Sequence, residues 1–510
     1  MLNLRAIYFK SEEQTKRAVI ALFCLLTFFL LIQTFFSASF ALALLFAIIV
    51  VIITFVRPLY TLGFLATYLP FESFILKFIP DNIYVFARYF SEGLIYLVAF
   101  VVLIKVLRGE IHLKRTTLDT PFVLFLLSLI AAVAIHFVPL PIALLGLRQI
   151  LRFMLVFFLV VYLQPTKSFV KKLTIILFAI VLFQSTLGIV QSFAGESLDQ
   201  LLLPSDSKTF GDITLTEGVE QFWDPGSRVF STLGRYDRLG NFLYFFLILA
   251  SGFFFTMTKR ANKIPPIIWW VFALGIPALV MTYSRSSWFA FLIGFLFIGL
   301  IIKRDKKVLA GLLASIFIVL GYLAASGLTV SFLADVPGQT LSERFFEVFS
   351  YSRWRGEYYG LGRVFWYVHT PTSVVATSPI IGWGPGQFGG GAVGALHNTS
   401  VYDKLGLPFG VYGTGGFIDN SWFSLWGEAG TLGIVFYLWL YIALFRKALL
   451  IYRTSSDEYW KGLAIGFAAI MLGVAFNAFT STIFEIRTLA FYLWLYGGIV
   501  YSARSSSPRL

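Results

Sequence analysis

Charge, cysteine and histidine are all scarce in this 510-residue chain, and each shortage removes a class of explanation. Charged residues make up 13% of the sequence, about half the share usual in soluble domains. The single cysteine, Cys24, excludes an internal disulfide and a cysteine-rich metal site. Only four histidines are present, none spaced as a metal-ligand pair, and no Asp-x-Asp pair stands ready to hold a metal on a nucleotide sugar. No metal and no cofactor are therefore expected. A Walker phosphate loop is missing, which argues against an intrinsic ATPase. Gly384-Pro385-Gly386-Gln387-Phe388-Gly389 has the form of a dinucleotide fingerprint but lacks the preceding strand and βαβ context that give the motif its chemistry. No repeat of 20–50 residues is visible.

What the chain has in abundance is apolar sequence. It is 58% hydrophobic, with a mean hydropathy of +0.82. Apolar runs recur along its whole length, long enough to cross ~30 Å of hydrocarbon. Backbone polar groups in lipid are satisfied only in helices or closed barrels, and these runs are continuous rather than alternating. The expected fold is all-α: a polytopic integral membrane bundle of about fourteen spans. They lie at 18–36, 38–56, 59–76, 88–107, 119–138, 146–163, 173–194, 239–257, 264–282, 286–302, 308–325, 421–445, 462–482 and 486–503. The first run follows Lys10, Lys16 and Arg17 and precedes Ser37-Ala38-Ser39, which resembles a signal peptide. A second run follows at once, so an uncleaved helical hairpin is expected. The pattern divides the chain into N-terminal membrane helices (1–238, with an outer loop near 195–238), central helices (239–325), an extracytoplasmic region (326–420) and C-terminal helices (421–510), all in one membrane domain.

Short basic linkers, Arg108 to Arg115, Lys167 to Lys172, Lys259 to Lys263, Lys303 to Lys307 and Arg446 to Lys461, belong in the cytoplasm by the positive-inside rule. An even span number then places both termini there. The net charge of +14 points to contact with anionic membrane lipid, not nucleic acid. Fifteen of the forty basic residues fall on the outer side. Among them arginines 88, 148, 152, 228, 235, 238, 285, 344, 353, 355, 363 and 487 far outnumber lysines 77, 208 and 404. Guanidinium grips phosphate oxygens through a planar fork that an ammonium lacks, so this excess points to diphosphate recognition; pairing with the outer acids is the alternative. The long outer segment 325–420 carries Trp354, Tyr358, Tyr359, Trp366, Tyr367, Trp383, Phe388, Tyr402 and Tyr412, too many aromatics for a disordered loop. They suit either sugar stacking or an interfacial belt. Twelve glycines in Gly382–Gly416 suggest a segment that moves.

Four outer clusters stand out. They are Arg228-Val229-Phe230-Ser231-Thr232-Leu233-Gly234 with Gly240-Asn241; Thr282-Tyr283-Ser284-Arg285-Ser286-Ser287; Gly362-Arg363-Val364-Phe365-Trp366 leading to Ser378-Pro379-Ile380-Ile381-Gly382-Trp383-Gly384-Pro385-Gly386; and Asp419-Asn420-Ser421-Trp422 continuing to Glu428-Ala429-Gly430. As an ordered set over Arg228–Gly433 they resemble the O-antigen ligase and polymerase family of bacterial envelope polysaccharide enzymes. In the ligase branch a histidine usually precedes the asparagine of the fourth cluster. Here that position is Asp419, which favours the polymerase-like side.

The resemblance implies a membrane glycosyltransferase at the outer face of the cytoplasmic membrane. Its partners would be a polyprenyl-diphosphate-linked glycan donor, a glycan or lipid-core acceptor, and proteins of a polysaccharide-assembly complex. Arg285, Arg228 and Arg363 would hold the diphosphate and stabilise the leaving group. Asp419, or its rival His397, would take the acceptor's proton. Arg238, Asn241, Asn420 and Trp366 complete the candidate binding set. Arg148 and Arg152 are second-tier members. Four residues apart on one helix face, they repel unless an anion lies between them. Glu428, inside a span, is open to protonation, to pairing with Arg487 or to use in the site, and structural pairing is the favoured expectation. The rivals are a lipid-linked oligosaccharide flippase or other transporter, and a scaffold.

Overall fold

Apolar runs of this length fold as helices because each backbone amide then finds its partner within the same segment. The computed structural model describes residues 27, 38–204, 208–210, 213–215, 228–257, 264–325, 351–411 and 417–503. The expected first span (18–36, residue 27 apart), Cys24, Lys259 to Lys263, Arg344 and Tyr412 lie outside the described residues.

The chain begins with α1 (Ala38–Val56) and α2 (Pro58–Tyr68), whose first helical position is a proline. A short 3-10 turn leads to α3 (Glu72–Lys77), α4 (Asp81–Leu107) and α5 (Asp119–Ile135). The next span is broken: α6 (Leu140–Leu151) and α7 (Met154–Leu163) meet at 51°. Then come α8 (Lys167–Ala194), α9 (Glu196–Leu202) and an antiparallel pair of three-residue strands, β1 (Lys208–Phe210) and β2 (Ile213–Leu215). α10 (Tyr236–Met257), α11 (Pro266–Met281), α12 (Arg285–Leu296, prolonged by a π-turn to Ile302) and α13 (Lys306–Ala325) follow. Four short helices, α14 (Tyr351–Tyr359), α15 (Arg363–His369), α16 (Gly391–Leu396) and α17 (Ser400–Leu405), precede the last three: α18 (Ser421–Thr454), α19 (Glu458–Asn477) and α20 (Arg487–Ser502).

The core sits around α10, in which every residue from Leu239 to Phe253 is buried. A helix that is apolar all round needs neighbours on every side, and α10 packs against α8, α11, α12, α19 and α20. Its closest neighbour is α19. A Cβ on Gly252 would stand 2.4 Å from the Gly462 carbonyl oxygen and 2.6 Å from Gly466 Cα, so backbones touch here as small residues allow in membrane bundles.

Among the described residues seven helical segments are long and apolar enough to cross a membrane, or up to eight with the bent α6–α7 pair taken as one span; α5, α11 and the Leu44–Val56 part of α1 are shorter apolar helices. Contacts sort the two ends of the bundle. At one end Lys167 pairs with Asp457, the Thr117 amide donates to Tyr501 Oη at 2.9 Å, Lys447 lies over the Tyr501 ring and Lys303 over Tyr452. The described basic linkers thus gather together. The arginine-rich motifs occupy the opposite end. There, the segment before α18 has a small core of its own, built from Trp366, Val374, Trp383, Phe388, Val393, Val401 and Tyr402.

Candidate functional site

The first motif is held by two buried glutamines of α8. Gln191 Oε1 accepts from the Phe230 and Ser231 amides at 3.0 and 2.8 Å. Gln184 Oε1 accepts from Ser231 Oγ at 2.5 Å, while its Nε2 donates to Thr232 Oγ1 at 2.6 Å. The Val229 amide reaches the Met281 carbonyl at 3.3 Å, which brings the first motif beside the second. Arg228 lies half-buried with its guanidinium 4.5 Å from the Tyr236 ring centroid; among the described residues its Nη1 has no hydrogen-bond partner.

The second motif is a tight turn. Tyr283 adopts φ +54°, Thr282 Oγ1 donates to the Leu279 carbonyl at 2.6 Å, and Ser284 is the N-cap residue of α12. Arg285 is therefore the first residue of α12, at the end where the helix dipole favours an anion. Ser287 donates to Asn241 Oδ1 at 3.2 Å, and so does Asn477 Nδ2 at 2.8 Å. Asn241, expected to meet substrate, is instead a buried hub that ties α10, α12 and α19 together.

The third and fourth motifs are spliced through their backbones. α18 breaks at Gly430, where φ is +68°, and the break exposes helical carbonyls that need donors. The Trp383 and Gly384 amides donate to the Gly427 and Glu428 carbonyls, both at 2.9 Å, while the Thr431 and Leu432 amides donate to the Pro379 and Ile380 carbonyls at 2.9 and 3.0 Å. A Cβ on Gly382 would stand 2.4 Å from the Gly430 nitrogen. Gly382 thus packs closely against the broken helix, while a Cβ on Gly384 or Gly386 would stand 2.8 Å from Val138 or 2.7 Å from the Ile142 carbonyl oxygen.

Asn420 caps α18 by accepting from the Phe423 amide at 2.9 Å. Among the described residues its buried Nδ2 has no partner. Next to it, Asp419 Oδ2 accepts from Arg363 Nη2 at 2.8 Å. Arg363 in turn donates its amide to Glu357 at 2.9 Å, and Glu357 pairs with Arg353 at 2.6 Å. Arg235 is in electrostatic reach of Asp419 and pairs with Asp237 at 2.9 Å. The outcome is a ladder of alternating charge across the end of the bundle.

Other candidates lie elsewhere. His397 is an exposed, left-handed C-cap of α16. Trp366 is 1% exposed, donates to the Gly410 carbonyl at 3.1 Å and packs edge-on to Phe388 and Tyr402. Its ring fills the small core and offers no face to a sugar; among the described residues Tyr351, Trp354 and Tyr359 are the aromatics of this segment that stay exposed. Arg148 and Arg152 sit at the α6–α7 bend. The anion between them belongs to the protein: Arg148 forks onto both Glu92 oxygens and Arg152 reaches Glu92 at 3.3 Å and the Glu485 carbonyl at 3.2 Å. Arg238 donates to Ser73 Oγ at 3.3 Å. Arg487 pairs with Glu72 at 3.2 Å and not with Glu428, because Glu428 faces the glycine segment and accepts from the Phe388 amide at 3.3 Å. Glu428 and Glu485 line one cavity of about 30 Å³, large enough for water. Burial raises Glu485 above the usual carboxylate range, against the pull of Gln149 and the Gly391 amide.

No protein-family model matches this chain, and no curated protein matches it.

The residues themselves therefore carry the argument. Two of the three leading arginines, Arg228 and Arg285, belong to motifs in direct contact, and the third is tied to Asp419, which interacts electrostatically with Arg235 just after the first motif. Such a constellation of guanidiniums, hydroxyls and one carboxylate can bind an anion and accept a proton. Among the described residues no group of three or more His, Cys, Asp or Glu is placed to hold a metal. Sequence reasoning missed Gln184, Gln191, Glu92 and Asn477. Their one signal was polarity inside otherwise apolar runs.

Proposed function

We propose that this protein is a membrane glycosyltransferase of the O-antigen polymerase or ligase type. It would move glycan from a polyprenyl-diphosphate donor to an acceptor hydroxyl. The supporting observation is the convergence at one end of the bundle of motifs distant in sequence, with Asp419 set 2.8 Å from Arg363 and interacting electrostatically with Arg235. In the reaction, the acceptor oxygen attacks the anomeric carbon. The bond to the diphosphate oxygen breaks and its electron pair leaves with the diphosphate, whose charge Arg285, Arg228 and Arg363 stabilise. The hydroxyl proton passes to Asp419. Direct displacement inverts the anomeric centre.

The span count that fits this reading is about fourteen, the shorter apolar helices included. Both termini and the basic linkers then face the cytoplasm of a bacterial-type inner membrane, and the arginine-rich end faces outward.

A transporter of lipid-linked oligosaccharide is the second reading. It is favoured by two broken helices, the 51° bend at α6–α7 and the break at Gly430, since transporters place substrates at such interruptions. Purified protein in lipid vesicles, given a defined polyprenyl-diphosphate glycan without ATP, separates the readings. Glycan transfer or chain elongation is the expected result. Relocation of intact donor without transfer supports the transporter, and neither outcome leaves a scaffold.

A further inference from the structure

We propose that Arg363 is shared between two anions. In the resting protein Asp419 occupies the guanidinium edge that a substrate phosphate takes on binding, so that the anion's arrival releases Asp419. The inference rests on the reading that places both residues in the transfer site.

Three observations lead to it. The Arg363–Asp419 pair is partly open, with side chains 33% and 25% exposed, so an anion from outside can reach it and water can screen the exchange. The pair is also anchored from behind: Glu357 accepts the Arg363 amide at 2.9 Å, which holds the start of α15 in place whichever anion the side chain grips. Finally, Arg235 and Asp419 interact electrostatically while Arg235 is paired with Asp237 at 2.9 Å. A carboxylate displaced from Arg363 therefore keeps a cationic neighbour and stays at the site. Arg235 is in this sense a positioning residue.

Exchange couples donor binding to proton acceptance. Once a phosphate oxygen holds Arg363, Asp419 loses its charge-assisted hydrogen bond to that guanidinium, and its oxygen is released to meet the acceptor hydroxyl. The proton it takes is that of the acceptor hydroxyl, as the anomeric carbon–oxygen bond forms. Without a donor, Asp419 stays bound to Arg363, and a hydroxyl entering alone finds Oδ2 already engaged.

The test uses inorganic diphosphate as the probe and the full-length protein in nanodiscs of neutral phosphatidylcholine, read by calorimetry. Removing the competing carboxylate with Asp419→Asn should tighten diphosphate binding on the order of ten-fold, because one charge-assisted contact no longer has to be displaced. Asp419→Ser should do the same, which guards against a folding fault in one variant. The gain should vanish in the Arg363→Gln background, a non-additivity that locates the competition at this guanidinium. Equal or weaker binding in both Asp419 variants overturns the exchange, and so does a gain that survives Arg363→Gln. The binding assay needs no glycan. Tighter binding in a protein that transfers no glycan would thus uphold the exchange and reject the enzyme reading, and the reverse pattern would do the opposite.

Discussion

Two ionic assemblies share the arginine-rich end of this bundle, and they differ in how much water reaches them. In the first, Glu92 is clamped by Arg148 and Arg152, and the side chains of Arg152 and Glu92 are only 5% and 7% exposed. In the second, Arg363 and Asp419 are 33% and 25% exposed. Breaking a buried pair by removing one member strands a charge in a poor solvent, whereas an exposed pair is screened and contributes little. The first assembly therefore holds α4 against the α6–α7 bend, and the second is suited to exchanging partners. An excess of outer arginines has two origins here, and burial tells them apart.

The sharpest way to break that contrast is to remove each acid in turn. Glu92→Gln should destabilise the protein by about 3–5 kcal/mol, read as a fall in thermal midpoint in detergent or nanodiscs. Asp419→Asn should stay within about 1 kcal/mol of the parent. Should Asp419 prove the costlier loss, the assignment of structural and functional roles is inverted.

Function should sort the other way. Arg285→Lys keeps the charge at the start of α12 but removes the fork, and turnover with the lipid-diphosphate donor should drop on the order of 100-fold while expression is retained. Asp419→Asn should cost at least on the order of 100-fold in turnover, and more than His397→Ala, since the histidine lies exposed at a helix end. The reverse ranking would move the base to His397.

How far the sequence carries a reader depends on whether a residue's partner is local. Apolar runs announce helices, because that choice is settled by each segment's own composition, and the membrane class follows from it. The four motifs were equally visible, and the turn at Thr282–Ser287 and the cap at Asn420 are short-range chemistry. Partners remote in sequence were not visible. Nothing in Arg148 and Arg152 says that their anion is Glu92, and nothing in Gly430 says that Trp383 and Gly384 will satisfy the broken helix. Trp366 was misjudged for the same reason: whether an aromatic faces solvent or a second core is decided by the whole segment around it. Span number is the hardest quantity, since short apolar helices such as α5 and α11 meet the apolar criterion without the length.

The smallest effect belongs to the opposite end, where Lys167 and Asp457 form an ion pair with side chains 49% and 33% exposed. Asp457 also caps α19, accepting from the Tyr459 amide at 2.9 Å. Burial pushes this carboxyl up, but the hydrogen bond and charge of Lys167, with the two helix amides, outweigh it and hold the group below its ordinary value. A depressed carboxyl contributes stability that is present above its unfolded titration and lost as pH falls through its folded one. Asp457→Asn keeps a capping oxygen and loses the pair, so at neutral pH it should cost no more than about 0.5 kcal/mol; Asp457→Ala loses both and should cost about 1 kcal/mol. Thermal midpoints of the parent and the Asn variant should converge as pH is lowered below the ordinary aspartate range, and added salt should narrow the same gap at neutral pH. A gap that instead widened in acid would mean that this carboxyl is protonated when folded, and that the linker contact is held by its cap alone.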